Sequence, residues 1–209
     1  MSVDQHALYD ARLELVNFLI DAFADVPTDE FVETVLQDLE FPEDSVSEEL
    51  DQGFDLLEQF VAANRDRDLE AVQYDLEREF TRLFVGPRPR ILAHETYYRD
   101  DTDFRGAGRA KVTASYNAAG WSPPAEYPEE DDYIAVELAF LRYLVRRQRN
   151  GAEEAFGYQR VFHEEHLSEW IDDLVADVRE QSQEPFYEGV ATLLEGYLAF
   201  EEEIAMQMA

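Results

Sequence analysis

The sequence predicts an all-α protein of roughly nine helices, and three observations predict it. Apolar residues recur every three to four positions in segment after segment. Glycine, proline and capping residues fall between those segments rather than inside them. No stretch shows the strict alternation of a half-buried strand.

The first helix runs from Leu8 to Ala24, with Leu8, Leu15, Leu19 and Phe23 along one face. Pro27 stops it. Thr28 is placed to cap a second helix whose stripe is Phe31, Val32, Val35, Leu36 and Leu39, closed by Pro42. Ser45 and Glu48 stand at capping-box spacing before a third helix carrying Leu50, Phe54, Leu57 and Val61. A fourth carries Leu69, Val72, Leu76, Phe80 and Leu83. Periodicity fails at Gly86-Pro87-Arg88-Pro89-Arg90, because proline lacks the amide donor and restricts the residue before it. A long loop is expected from there to about Arg105; loops of that length are usually functional or packed down by their own side chains. A fifth helix spans Gly106 to Ala119 and ends at Gly120.

Pro123, Pro124 and Pro128 make the next stretch extended. Asp131 and Asp132 then stand at a helix N-terminus, where carboxylates suit the positive end of the dipole. That helix continues through Ile134, Leu138, Leu141 and Val145 to Asn150-Gly151. Helices from Ala152 to His163, from Leu167 to Gln181 and from Pro185 onward complete the chain. The expected division is an N-terminal helical half, 1–120, an acidic proline-rich hinge, 121–132, and a C-terminal half, 133–209, packed as one compact unit.

Composition narrows the function. Forty-eight carboxylates face seventeen basic residues, for a net charge of −31, and Lys111 is the one lysine. An acid-rich, lysine-poor surface suits a very salty cytoplasm, so the expected source is a halophile of the haloarchaeal kind. The acidity disfavours nucleic acid, whose phosphates call for basic surface. The absence of cysteine removes disulfides, thiolate metal sites and a thiol nucleophile. No signal peptide and no apolar run of membrane-spanning length is apparent, so a cytoplasmic location is expected.

Tests for chemistry are mostly negative. His163-Glu164-Glu165-His166 places two histidines three apart, where one metal on one helix face needs four; polar residues at a helix junction are the commoner reading, and no metal or other cofactor is expected. There is no phosphate-binding glycine motif and no G-x-S-x-G, and His94 has no evident serine partner. An enzyme remains the minority alternative. Arg78, Arg82, Arg88, Arg90, Arg99, Arg105, Arg109, Lys111, Arg142, Arg146, Arg147 and Arg149 bring twelve of the seventeen basic residues into one region. Local pairing with carboxylates competes there with contact to a partner's acidic groups.

Four segments together resemble the TorD/DmsD/NarJ-type chaperones, which serve the maturation of molybdenum-cofactor oxidoreductases. Glu79-Phe80-Thr81-Arg82-Leu83-Phe84-Val85-Gly86-Pro87 is similar to the family's aromatic–x–x–Leu-Phe followed by Gly-Pro. His94-Glu95-Thr96-Tyr97-Tyr98 is similar to its P-Y-E-S-x-Y loop, and Asp132 to Phe140 to its D-H-I-x-x-E-L-x-F. Phe162-His163-Glu164-Glu165-His166-Leu167-Ser168-Glu169-Trp170, with Pro185-Phe186-Tyr187, is similar to its F-x-x-x-H-L-x-x-W and T-P-F-Y. The family's E-P-x-D-H hinge reads Glu129-Glu130-Asp131-Asp132-Tyr133 here. Tyrosine in place of histidine keeps an aromatic face and a hydrogen-bonding end but does not titrate near neutrality.

The resemblance implies a non-enzymatic chaperone, monomeric or homodimeric. It would bind the twin-arginine signal peptide or the apo-catalytic subunit of a molybdoenzyme and hold back export until cofactor insertion. A dimethyl sulfoxide or trimethylamine N-oxide reductase is the first candidate client and a nitrate reductase the second; a helical interaction protein without such a client is the remaining alternative. A basic n-region needs carboxylates and an apolar h-region needs a groove. The expected peptide contacts are therefore Glu95, Tyr97, Tyr98, Trp121, Glu126, Tyr127, Glu129, Asp131, Asp132 and Tyr133.

Overall fold

The computed structural model describes residues 3–42, 44–99, 107–124 and 130–208. Ten α-helices occur among them, and no strand: α1 (Val3–Ala24), α2 (Asp29–Gln37), α3 (Glu48–Asn64), α4 (Leu69–Phe80), α5 (Glu95–Tyr98), α6 (Ala107–Ala118), α7 (Ile134–Arg149), α8 (Glu154–Glu165), α9 (Ile171–Gln181) and α10 (Pro185–Met208). The all-α reading holds. The helix absent from the sequence reading is α5, a single turn in the expected loop, too short for any apolar period to register. A π-helical turn, Thr81–Val85, extends α4, and a 3₁₀ turn, Leu167–Glu169, precedes α9 where a continuous helix was expected.

Several boundaries follow from local chemistry. The Thr28 hydroxyl accepts from the Phe31 amide at 3.2 Å and caps α2, as its position suggests. The cap of α3 is Ser47, which accepts from the Leu50 amide; Ser45 instead donates to the Asp51 carboxylate, so the capping box read at Ser45 and Glu48 is not formed. Gly120 and Gly151 adopt φ of 75° and 86° just beyond α6 and α7, a region that side chains with a Cβ rarely enter.

The helices group into two compact units, each drawn from several parts of the chain. Among the described residues, the first takes those up to Ala24, Ala93–Asp172 and those from Leu198 onward. The second takes Asp25–Leu92 and Asp173–Tyr197.

In the first unit α7 is the central element: every residue from Ile134 to Leu141 is buried. It runs antiparallel to α1. Arg149 pairs with Asp10 at one end, Arg142 donates to Asn17 at 3.0 Å in the middle, and Tyr133 reaches Phe23 at the other end. A fully internal polar group joins α1, α7, α8 and α10. Arg12 grips both carboxylate oxygens of Glu201 at 2.7 Å and also donates to Gln148 at 2.8 Å. Gln148 donates to Gln159, and Gln159 donates back to Glu201 at 2.7 Å. A buried ion pair offsets its desolvation only when its remaining lone pairs and protons are satisfied, and these four side chains satisfy one another.

In the second unit Phe186 packs between Phe31 and Phe60, with ring centroids 6.1 and 5.1 Å away, and Tyr187 meets Phe80 and Phe84. Helix α3 lies close against α10: a Cβ on Gly53 would come within 2.8 Å of the Leu193 backbone nitrogen. Glu79 is buried beneath Arg82, which binds it through two nitrogens and reaches the Gln181 carbonyl; Glu79 also accepts from the Gln183 amide at 2.7 Å. The first quoted segment and the Pro185-Phe186-Tyr187 part of the fourth thus meet in this unit.

Candidate functional site in the first unit

The remaining quoted segments converge in the first unit on the short bridge between His94 and Tyr133. The Glu95 amide donates to the Asp132 carbonyl at 2.9 Å, and the Ile134 amide donates to the Ala93 carbonyl at 3.0 Å. The loop before α5 is thereby stitched to the start of α7, and both segments present polar side chains to one interior.

Asp132 is fully buried and accepts from the Thr96 hydroxyl at 2.5 Å and from His94 Nδ1 at 3.3 Å. The Arg109 Nε lies 3.6 Å from it, while the same guanidinium pairs with Glu130 at 2.6 Å. Burial alone would raise the Asp132 pKa; the hydrogen bonds from His94 and Thr96 outweigh it and hold the carboxyl below its usual range. Glu95, also buried, pairs with Arg99 at 2.7 Å and accepts from His166 Nδ1 at 2.9 Å. Arg99 donates in turn to the Glu165 carbonyl.

Glu137 completes the group from α7. Its carboxyl is fully buried, and the Trp170 indole N–H donates to it at 3.3 Å. Burial, then the negative charges of Glu95 and Asp132, push its pKa well above the usual carboxylate range. Burial, then the charges of Glu137, Asp131, Glu95 and Asp132, raise the Tyr116 phenol, whose hydroxyl donates to the Asp131 carbonyl at 2.7 Å.

Ser115, His166 and Glu95 fall in line: the serine hydroxyl is 2.9 Å from His166 Nε2, and Nδ1 faces the carboxylate. The order resembles a nucleophile–base–acid relay. However, Ser115 lies inside α6, where neighbouring backbone amides are engaged in the helix and cannot serve a developing oxyanion. The line works as a clamp joining α5, α6 and the turn after α8. His166 is thus a junction residue, the commoner of the two readings of His163-Glu164-Glu165-His166. Among the described residues no group of histidine and carboxylate side chains could hold a metal ion.

The residues named from sequence sort into distinct environments. Glu95, Asp132 and Tyr133 are buried, with their polar atoms bonded internally; the Tyr133 hydroxyl donates to the Phe23 carbonyl at 2.6 Å. Asp131 is half-buried and accepts from the Thr113 hydroxyl at 2.6 Å. Trp121, half-buried, packs its ring against Tyr116, Phe140 and Tyr143. Tyr98 covers Trp170, and Tyr97, 52% exposed, stands edge-on to Tyr98. Glu126, Tyr127 and Glu129 lie outside the described residues.

Thr96, Arg99, Arg109, Ser115, Glu137, His166 and Trp170 belong to the same cluster without having been singled out as site residues. The quoted segments already contained Thr96, Glu137, His166 and Trp170, so their recurrence in the resemblance was the available signal. Arg99 and Arg109 stood in the basic cluster, where local pairing with carboxylates was one of the two readings; Ser115, on α6, carried no signal.

No helix among the described residues is long and apolar enough to cross a membrane. No curated protein matches the chain. The family model described as nitrate reductase delta subunit matches residues 43–176, more than half of the sequence, and the chain therefore belongs to that family of NarJ/TorD-type chaperones.

Proposed function

We propose that this chaperone binds the twin-arginine signal peptide of a molybdoenzyme catalytic subunit in the cytoplasm of a halophile and delays export until cofactor insertion. Family membership carries the coarser statement: the family serves reductase maturation and is not a family of enzymes. The finer one rests on the aromatic surface of Tyr97 and Tyr98 and on a stretch of the sequence, residues 126–132, rich in carboxylates. Glu126, Glu129 and Asp131 would meet the arginines of the n-region. Tyr97, Tyr98, Trp121 and Tyr127 would meet the apolar h-region. Glu95, Asp132 and Tyr133, being buried, would hold the shape of the site rather than touch the peptide.

In molar salt the screening length is about 3 Å, so only close charge-assisted contacts survive. Titration with a twin-arginine peptide at several salt concentrations tests the reading. The expected result is affinity that changes little with salt and collapses when a charge enters the h-region. A steep loss with salt, or tolerance of that charge, would sink it.

A nitrate reductase is favoured as client by the family's own description. A dimethyl sulfoxide or trimethylamine N-oxide reductase is the competing choice. Co-purification from the source cell decides between them by which catalytic subunit is retained.

A further inference from the structure

The second unit contains a stretch that departs from the rest of the chain in charge. From Thr81 to Ala93 there is no carboxylate side chain, although 48 of the 209 residues are acidic. Arg82, Arg88 and Arg90 lie within it and Arg78 just before. Arg82 is committed to Glu79. Arg78, Arg88 and Arg90 are exposed, and among the described residues none has a carboxylate at ion-pair distance. Arg99, Arg109, Arg147 and Arg149, by contrast, each pair with a carboxylate.

The stretch is also held in shape. The Gly86 amide closes the π-helical turn onto the Thr81 carbonyl at 2.9 Å, and the Ile91 amide returns to the Leu83 carbonyl at 2.9 Å. Buried Ile91 anchors the far end, and two prolines fix the backbone on either side of Arg88. On α4, ahead of the loop in sequence, the Arg78 guanidinium lies 5.7 Å from the centre of the exposed Tyr74 ring, and Val85 is exposed as well. Arginine and tyrosine next to apolar surface, on a backbone already ordered, is the composition of an interface anchor rather than of a solubilising surface.

We propose that Tyr74, Arg78, Val85, Arg88 and Arg90 form a docking surface for a carboxylate-rich segment of a partner protein. Charge complementarity selects the occupant: three arginines without a carboxylate partner among the described residues suit bidentate capture of carboxylates, and such short contacts persist in salt that abolishes long-range attraction. This surface would repel a basic n-region, so it does not depend on the signal-peptide reading, and failure of one leaves the other standing.

The test uses the full chain in molar potassium chloride and a short fluorescent peptide alternating glutamate and leucine, followed by anisotropy. Binding is expected. The glutamine-for-glutamate peptide and the R88E/R90E variant should each bind at least about tenfold more weakly, the variant keeping its helical circular dichroism. Equal binding by the variant, or by the glutamine peptide, overturns the proposal. So does a wild-type dimer in sedimentation that R88E/R90E converts to monomer, because the surface would then be covered by a second copy. Arg78→Ala supplies an independent variant outside the loop, with a smaller loss expected.

Discussion

The Tyr133 hydroxyl donates to the Phe23 carbonyl oxygen at 2.6 Å, so the residue that precedes α7 closes the last turn of α1. The final carbonyls of a helix have no partner within it, and this one is satisfied by a side chain 110 residues away. Where the resembled family places histidine, this chain has built a strut.

Tyr133→Phe keeps the ring beside His94 and removes only the hydroxyl. A loss of about 1–3 kcal/mol in unfolding free energy is expected, the range for leaving a buried acceptor unpaired. Denaturant titration in high salt measures it, and an unchanged midpoint would deny the strut its role.

The Arg12–Glu201 pair allows a sharper comparison. Arg12→Met leaves the Glu201 carboxylate buried with, among the described residues, Gln159 alone to answer it and should cost about 3–5 kcal/mol. The double change R12M/E201L removes both charges and should recover most of that loss. If both variants are equally unstable, packing rather than charge sets the cost.

His163 sets an acid limit. It is buried, its Nε2 has no hydrogen-bond partner among the described residues, and burial lowers its pKa from 6.5 to about 4. Because the folded state resists the proton more than the unfolded state does, the stability from a neutral His163 is complete above pH 6.5. It is lost as pH falls toward 4, by about 3 kcal/mol in all. Unfolding free energies at neutral pH and near the lower limit, for the wild type and His163→Leu, should differ in slope over that window. Parallel profiles would contradict the assignment.

Glu137 gives the opposite sign. Its pKa is raised in the folded state, so the native protein loses stability as pH climbs above the ordinary glutamate value of 4.5 toward the folded value. Glu137→Gln mimics the protonated side chain and removes that loss. The variant is expected to match the wild type in mild acid and to exceed it at neutral pH, read from thermal unfolding at both.

Much of the helical framework could be read from apolar spacing and breakers: Thr28, Gly120 and Gly151 act as their types suggest. The cap at Ser47 was misplaced because Ser45 and Ser47 offer the same chemistry two residues apart, and only Asp51, which engages Ser45, separates them. Helix α5 escaped because four residues carry no period. The buried cluster was hardest to see. Glu95, Asp132 and Glu137 look like surface carboxylates in so acidic a chain, and their burial depends on His94, Thr96, Arg99 and His166 brought in from distant segments. Among the arginines, sequence offered local pairing and partner contact as alternatives, and the structure shows local pairing for Arg82, Arg99, Arg109, Arg147 and Arg149.

One part of this architecture sets an order of events during synthesis. Helix α10 serves the second unit through Tyr197 and the first from Leu198 onward. Arg12 precedes its carboxylate partner by 189 residues. A nascent chain can thus complete α1 and α7 and still lack the carboxylate that pairs with Arg12 until the turn of α10 bearing Glu201 leaves the ribosome. The first unit can therefore close only after every segment of the second has been made.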